Sequence, residues 1–206
     1  MVFGRLFARL FAIGYLLLLT ACASTPQNAG NICALFEDKD DWFRAARKAE
    51  QRWNVPIPVS MAFIQQESGF AARAKPARRK LLGFIPGPRP SSAFGFAQAQ
   101  DSTWDDYRKF SGNGIARRSN FADAVDFVAW YNNMSYRINN IARDDAYNLY
   151  LAYHEGNAGF SRRTYEGKPA VLSVARKVQA NALVYQQQFQ ECERELGKNW
   201  FERLFS

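Results

Sequence analysis

The 206-residue chain has no apolar run near the ~18–20 residues a helix needs to cross a bilayer, which excludes a helical membrane span. Histidine is nearly missing: His154 is the single one, and it stands outside any Cys/His spacing that would build a metal site. No glycine-rich loop is placed to cradle a phosphate, no segment repeats, and no useful stretch alternates apolar with polar residues. These absences exclude a phosphate-loop enzyme, a Cys/His metal centre, a repeat array and a sheet-built fold. No nucleotide, flavin, metal or other cofactor is expected. What is there is 48% hydrophobic and 15% aromatic, too rich for a disordered chain. The length suits one domain with a sizeable core, and not two.

The first residues read as an export signal. Arg5 and Arg9 precede an apolar stretch from Leu10 to Leu19, the length of a signal's hydrophobic region. Leu19-Thr20-Ala21-Cys22 follows and resembles the bacterial lipobox, where the cysteine is acylated and becomes the first residue. The alternative is a plain secretory signal cleaved near Ala21 or Ala23. Residues 1–21 are therefore expected as signal peptide and 22–39 as a lipidated tether, the stretch from Ala23 to Gly30 being small and polar. Ala23 is not the aspartate that commonly retains such lipoproteins in the inner membrane. The resemblance thus implies a periplasmic protein anchored to the outer membrane by acyl chains. With Cys22 lipidated, Cys33 and Cys192 remain, either as a disulfide in that oxidising compartment or as two buried thiols. The net charge of +8 falls slightly on cleavage and stays positive, which suits an anionic polymer; export argues against nucleic acid.

Residues 40–206 read as one all-α domain with at most a small β-hairpin. Helical spacing runs from Asp40 to Trp53, and Pro58 suits the first turn of a helix reaching Ser68. Ser102 or Thr103 opens a short helix with Trp104 and Tyr107. Asn120, with Asp123 three residues on, reads as the cap of a longer helix reaching Ile141, and Asp144 starts another ending near His154. From Pro169 to Leu196, apolar residues recur every three or four positions, a core-packing stripe. The segment from Ser68 to Gln100 differs. It holds Arg73, Lys75, Arg78, Arg79, Lys80 and Arg89, no acidic residue, and four of the eight prolines. It cannot be continuous helix; it is either a solvated basic loop or a flap that attracts an anionic surface.

Three motifs carry chemistry. Glu67 ends an apolar helix, where desolvation disfavours the carboxylate and raises its pKa, as a general acid at neutral pH requires. Gly95-Phe96-Ala97-Gln98, preceded by Ala93, joins a glycine that permits close backbone approach to an amide able to donate and accept. Ala152-Tyr153-His154-Glu155-Gly156 ends a helix in a polar turn. In this order, with Phe70 after Glu67-Ser68 and Asn120 opening the long helix, they resemble the soluble lytic transglycosylase family, lysozyme-like domains that cut bacterial peptidoglycan. The resemblance covers roughly residues 40–159. Three departures stand out: a longer, basic insertion at about 73–91, Ala97 in place of a larger residue, and His154 where the family usually has asparagine.

The resemblance implies Glu67 as the catalytic acid, with Ser68, Phe96, Gln98, Tyr153, His154 and Glu155 binding glycan and Gly95 as a structural glycine. Phe94 and Tyr131 are further candidate walls for sugar faces, and Tyr153 is the expected hydrogen-bond partner near Glu67. The implied substrate is the peptidoglycan strand, cut between N-acetylmuramic acid and N-acetylglucosamine to leave 1,6-anhydro ends. Two alternatives remain open: a goose-type-lysozyme-like hydrolase using Glu155, and a non-catalytic peptidoglycan-binding lipoprotein.

Overall fold

From Ile57 to Ile64 the chain offers no polar stripe, so a helix made of it belongs inside the protein. In the computed structural model, which describes residues 26–78, 80–81 and 85–197, that helix lies at the centre. The described residues form α1 (Ile32–Asp38), α2 (Asp40–Trp53), α3 (Ile57–Ser68), β1 (Lys80–Leu81), β2 (Ile85–Pro86), α4 (Asp101–Ser111), α5 (Phe121–Asn139), α6 (Ala146–Glu155), α7 (Asn157–Ser161) and α8 (Pro169–Leu196). The fold is all-α. The strands form one antiparallel hairpin, Lys80 opposite Pro86 and Leu81 opposite Ile85, inside the basic insertion. The expected signal segment and Cys22 lie outside the described residues.

Every side chain from Ile57 to Ile64 is buried, and the apolar ones each contribute about 1.5–3 kcal/mol where burial is complete. Helix α8 packs along α1, α3 and α6, while α5 packs against α2, α3 and α6. Asp126 ties α2, α4 and α5 together: its carboxylate accepts from Trp53 Nε1 and the Tyr107 hydroxyl, both at 2.8 Å, and pairs with Arg52 at 3.2 Å. Glu50 accepts the Ile57 N–H at 3.0 Å, supplying an acceptor to the first turn of α3, whose N–H groups lack intrahelical partners. The Asn120 cap forms as expected, its side chain accepting the Asp123 N–H at 3.1 Å. Asn140, left-handed at φ 54°, ends α5 before Ile141.

Part of the stretch expected as tether, Ile32–Asp38, is a docked helix. Ile32, Leu35 and Phe36 are fully buried, and Asn31 caps α1 by accepting the Ala34 N–H. The chain just before is held as well: the Ala29 carbonyl accepts from Gln65 Nε2 and from the Tyr185 hydroxyl. Three apolar residues in a seven-residue helix are enough to dock it when the long last helix offers a groove. Cys33 and Cys192 are joined as a disulfide, stapling α1 to α8.

Candidate active site

Glu67 sits one residue from the end of α3, where the central helix leaves the core. Gly69 follows in the left-handed conformation at φ 57°, its N–H closing onto the Gln65 carbonyl at 2.9 Å. Phe70 is left-handed too, at φ 64°, a conformation that costs a side-chain-bearing residue of order 1 kcal/mol. Its ring repays this by entering an aromatic cluster, 5.7 Å from Trp42, which stacks on Phe121 at 4.0 Å. The end of α3 is thereby pinned from both sides of the turn, and Glu67 with it.

One helical turn before Glu67, Phe63 meets two tyrosines of α6, with ring centroids 5.6 Å from Tyr150 and 5.3 Å from Tyr153. Residues four apart share a helix face, so Glu67 faces the same pair. The Tyr150 hydroxyl donates a hydrogen bond to its carboxylate. Burial pushes the Glu67 carboxyl up from 4.5 to about 7; the Tyr150 hydrogen bond opposes that shift and is outweighed. Burial and then the Glu67 charge push both tyrosine hydroxyls up, so both remain proton donors. The sequence reading assigned this partnership to Tyr153. Tyr153 instead donates to the Ala97 carbonyl at 2.6 Å, fastening the next motif to α6. Tyr150 went unnoticed, although its spacing of three from Tyr153 puts both on one face.

The Gly95–Gln98 motif is a tight loop closed by pairing of Phe94 with Ala99. Gly95 has φ 78°, and a Cβ there would lie 2.1 Å from the Arg118 carbonyl oxygen. The close approach that needs glycine is thus to backbone, not to a ligand. Gln98 donates from Nε2 to the carbonyls of Gly95 at 2.8 Å and Ala74 at 3.0 Å, leaving its amide oxygen without a hydrogen bond among the described residues. Phe96 corrects the sequence reading. It is 4% exposed, edge-on to Trp42 and Phe121, and anchors the loop from below rather than walling a sugar site.

A cleft of about 250 Å³ opens beside this loop, lined by Gln98, Thr103, Tyr131, Tyr153, His154 and Glu155 among others. It gathers four of the expected binding residues. Glu67 is not among the residues that line this cleft; it is half-buried behind Tyr153, whose hydroxyl feels its charge. Ser68 turns its hydroxyl back onto the Ile64 carbonyl at 3.2 Å. His154 is exposed, its Nδ1 3.1 Å from Glu155 Oε1. The Glu155 side chain is only 4% exposed and its oxygens are occupied: Lys168 Nζ lies 2.8 and 3.0 Å away and the Thr164 hydroxyl donates to Oε2. The Lys168 contact, then Thr164, holds this carboxyl at about 2. Glu155 therefore fastens the α6–α7 corner to the start of α8.

The sequence model of a family described as the transglycosylase SLT domain matches residues 10–192. No curated protein matches the chain.

Proposed function

The chain belongs to the transglycosylase SLT domain family, and on that premise we propose that it is a lytic transglycosylase with Glu67 as its one acid and base. A glycan strand laid along the cleft past Tyr153 brings a β-1,4 bond between N-acetylmuramic acid and N-acetylglucosamine to Glu67. The protonated carboxyl donates to the glycosidic oxygen as the bond breaks. The sugar's own 2-acetamido group stabilises the oxocarbenium-like centre. Glu67, now ionised, takes the proton of the muramoyl C6 hydroxyl, whose oxygen closes on C1. No water is added, and a 1,6-anhydro end results.

The observation that carries this reading is the environment of Glu67. A carboxyl that titrates near neutrality can give a proton and take one back at the same pH. Among the described residues the only carboxylate on the cleft wall, Glu155, is neutralised by Lys168 and held ionised, so it has no free oxygen to orient a hydrolytic water. Tyr131 and Tyr153 offer sugar-facing surfaces, and the Gln98 oxygen accepts from a hydroxyl or acetamide. The protein acts in the periplasm, with acylated Cys22 anchoring it to the outer membrane.

Digesting purified peptidoglycan and weighing the released muropeptides tests the proposal. Products lighter by one water than reducing ends support it. Reducing ends would make the protein a hydrolase; no release with firm sacculus binding would make it a glycan-binding protein. Glu67→Gln should abolish release and spare binding, and a variant that still cuts would remove Glu67 from its role.

A further inference from the structure

The proposed chemistry leaves the basic insertion without a task. Part of that insertion builds a second recess, bounded by Lys75, Arg89, Ser92, Phe94, Asp101 and Arg118. The Phe94 ring forms its floor, with Lys75 Nζ 5.4 Å and Arg118 Cζ 5.5 Å from the ring centroid. Arg118 is committed: it donates to the Ser92 and Ala99 carbonyls at 3.0 and 2.8 Å and pairs with Asp101 at 2.7 Å, which also answers the recess's one acidic charge. Arg89 donates to the Pro76 carbonyl, which holds it on the rim, and it pairs with no carboxylate among the described residues. Lys75 faces no carboxylate among the described residues. Among the described residues the recess thus keeps two uncompensated cations, Lys75 over the Phe94 ring and Arg89 on the rim.

Its position matters as much as its charge. The Phe94 N–H donates to the Ala99 carbonyl at 3.3 Å, so one closed loop separates two spaces. Ser92 and Phe94 face the basic recess; Gln98 and Ala99 face the cleft. A polymer in the cleft that carries acidic branches would place them within reach of Lys75 and Arg89.

We propose that this recess binds the carboxylates of the peptide stems on the glycan strand, making the protein selective for stem-bearing over naked glycan. The proposal rests on the reading of the cleft as a glycan site. A lipid surface is the other anion that cations could meet. The charges lie on the far side of the loop that walls the cleft, where branches of a strand held in the cleft arrive, and that position favours the stem carboxylates.

The test is binding of the full-length protein to immobilised stem-bearing glycan strands and to immobilised strands stripped of stems by an amidase, with binding to intact sacculi by co-sedimentation and muropeptide release measured alongside. Lys75→Ala with Arg89→Ala should weaken binding to stem-bearing strands about fivefold, the scale of a pair of exposed charge contacts, and leave stripped strands unaffected. The loss should shrink at high salt. Lys75→Arg with Arg89→Lys should bind like the wild type. Equal loss on both substrates, no loss on either, or loss in the charge-conserving variant each overturns the proposal. So does a loss seen only with vesicles of mixed neutral and anionic phospholipid. If the wild type releases no muropeptides, the catalytic reading fails, while the binding comparison still decides the recess.

Discussion

At the scale of single residues, Glu67 links stability to pH in a definite direction. Its carboxyl titrates near 4.5 when unfolded and about 7 when folded. Below pH 4.5 both states are protonated and the site costs nothing. As pH rises toward 7 the folded protein must hold a charge where water is scarce, so stability falls, levelling above 7. Glu67→Gln removes that penalty. Urea unfolding should find the variant about 1–3 kcal/mol more stable than wild type at pH 8 and nearly equal at pH 4; a gain of the same size at both would contradict the assignment. Tyr150→Phe acts oppositely to burial's counterweight: without the hydrogen bond the Glu67 carboxyl rises further. The alkaline limb of the kcat/KM profile, where the acid form is lost, should move to higher pH. An unmoved limb would place Tyr150 outside the proton-handling pair. The raised carboxyl of Glu67 is legible in sequence because an apolar run leading into one glutamate has a direct electrostatic consequence. Its partner is not, since two tyrosines on one helix face differ only in how α6 is rotated against α3. Nor could sequence show that Lys168, thirteen residues on, would silence Glu155.

At the scale of elements, the loop from Ser92 to Gln100 is the least forgiving part of the site. Gly95→Ala would place a methyl against the Arg118 carbonyl in a left-handed backbone, which should cost more than about 2 kcal/mol. Thermal unfolding should register that loss together with loss of muropeptide release. A stable, active variant would mean the loop has another way to close. Helices α2 and α8 match the residues expected from periodicity, because amphipathic spacing is a local signal. Helix α1 carries no tether-excluding signal of its own in the sequence, because the surface that buries it belongs to the distant α8. Phe96 was misread for the same reason. A motif shows which residues come together, but the aromatic cluster of Trp42, Phe70 and Phe121 decides which side of the loop faces inward.

At the scale of the whole molecule, the disulfide closes nearly the entire described chain into one loop. Replacing Cys33 and Cys192 together by serine should lower stability by about 2–5 kcal/mol, read as a lower Tm. The same fall should follow reduction of the wild type, and the variant should ignore reductant. The bridge also sets a route for mechanical load. Where the proposed anchor at Cys22 holds the chain against a wall under strain, tension entering ahead of residue 33 passes through the sulfur atoms straight into α8. From α8 the load spreads into α3 and α6, which it packs against, so a wall strand held in the cleft is reached through packed helices rather than by peeling α1 away.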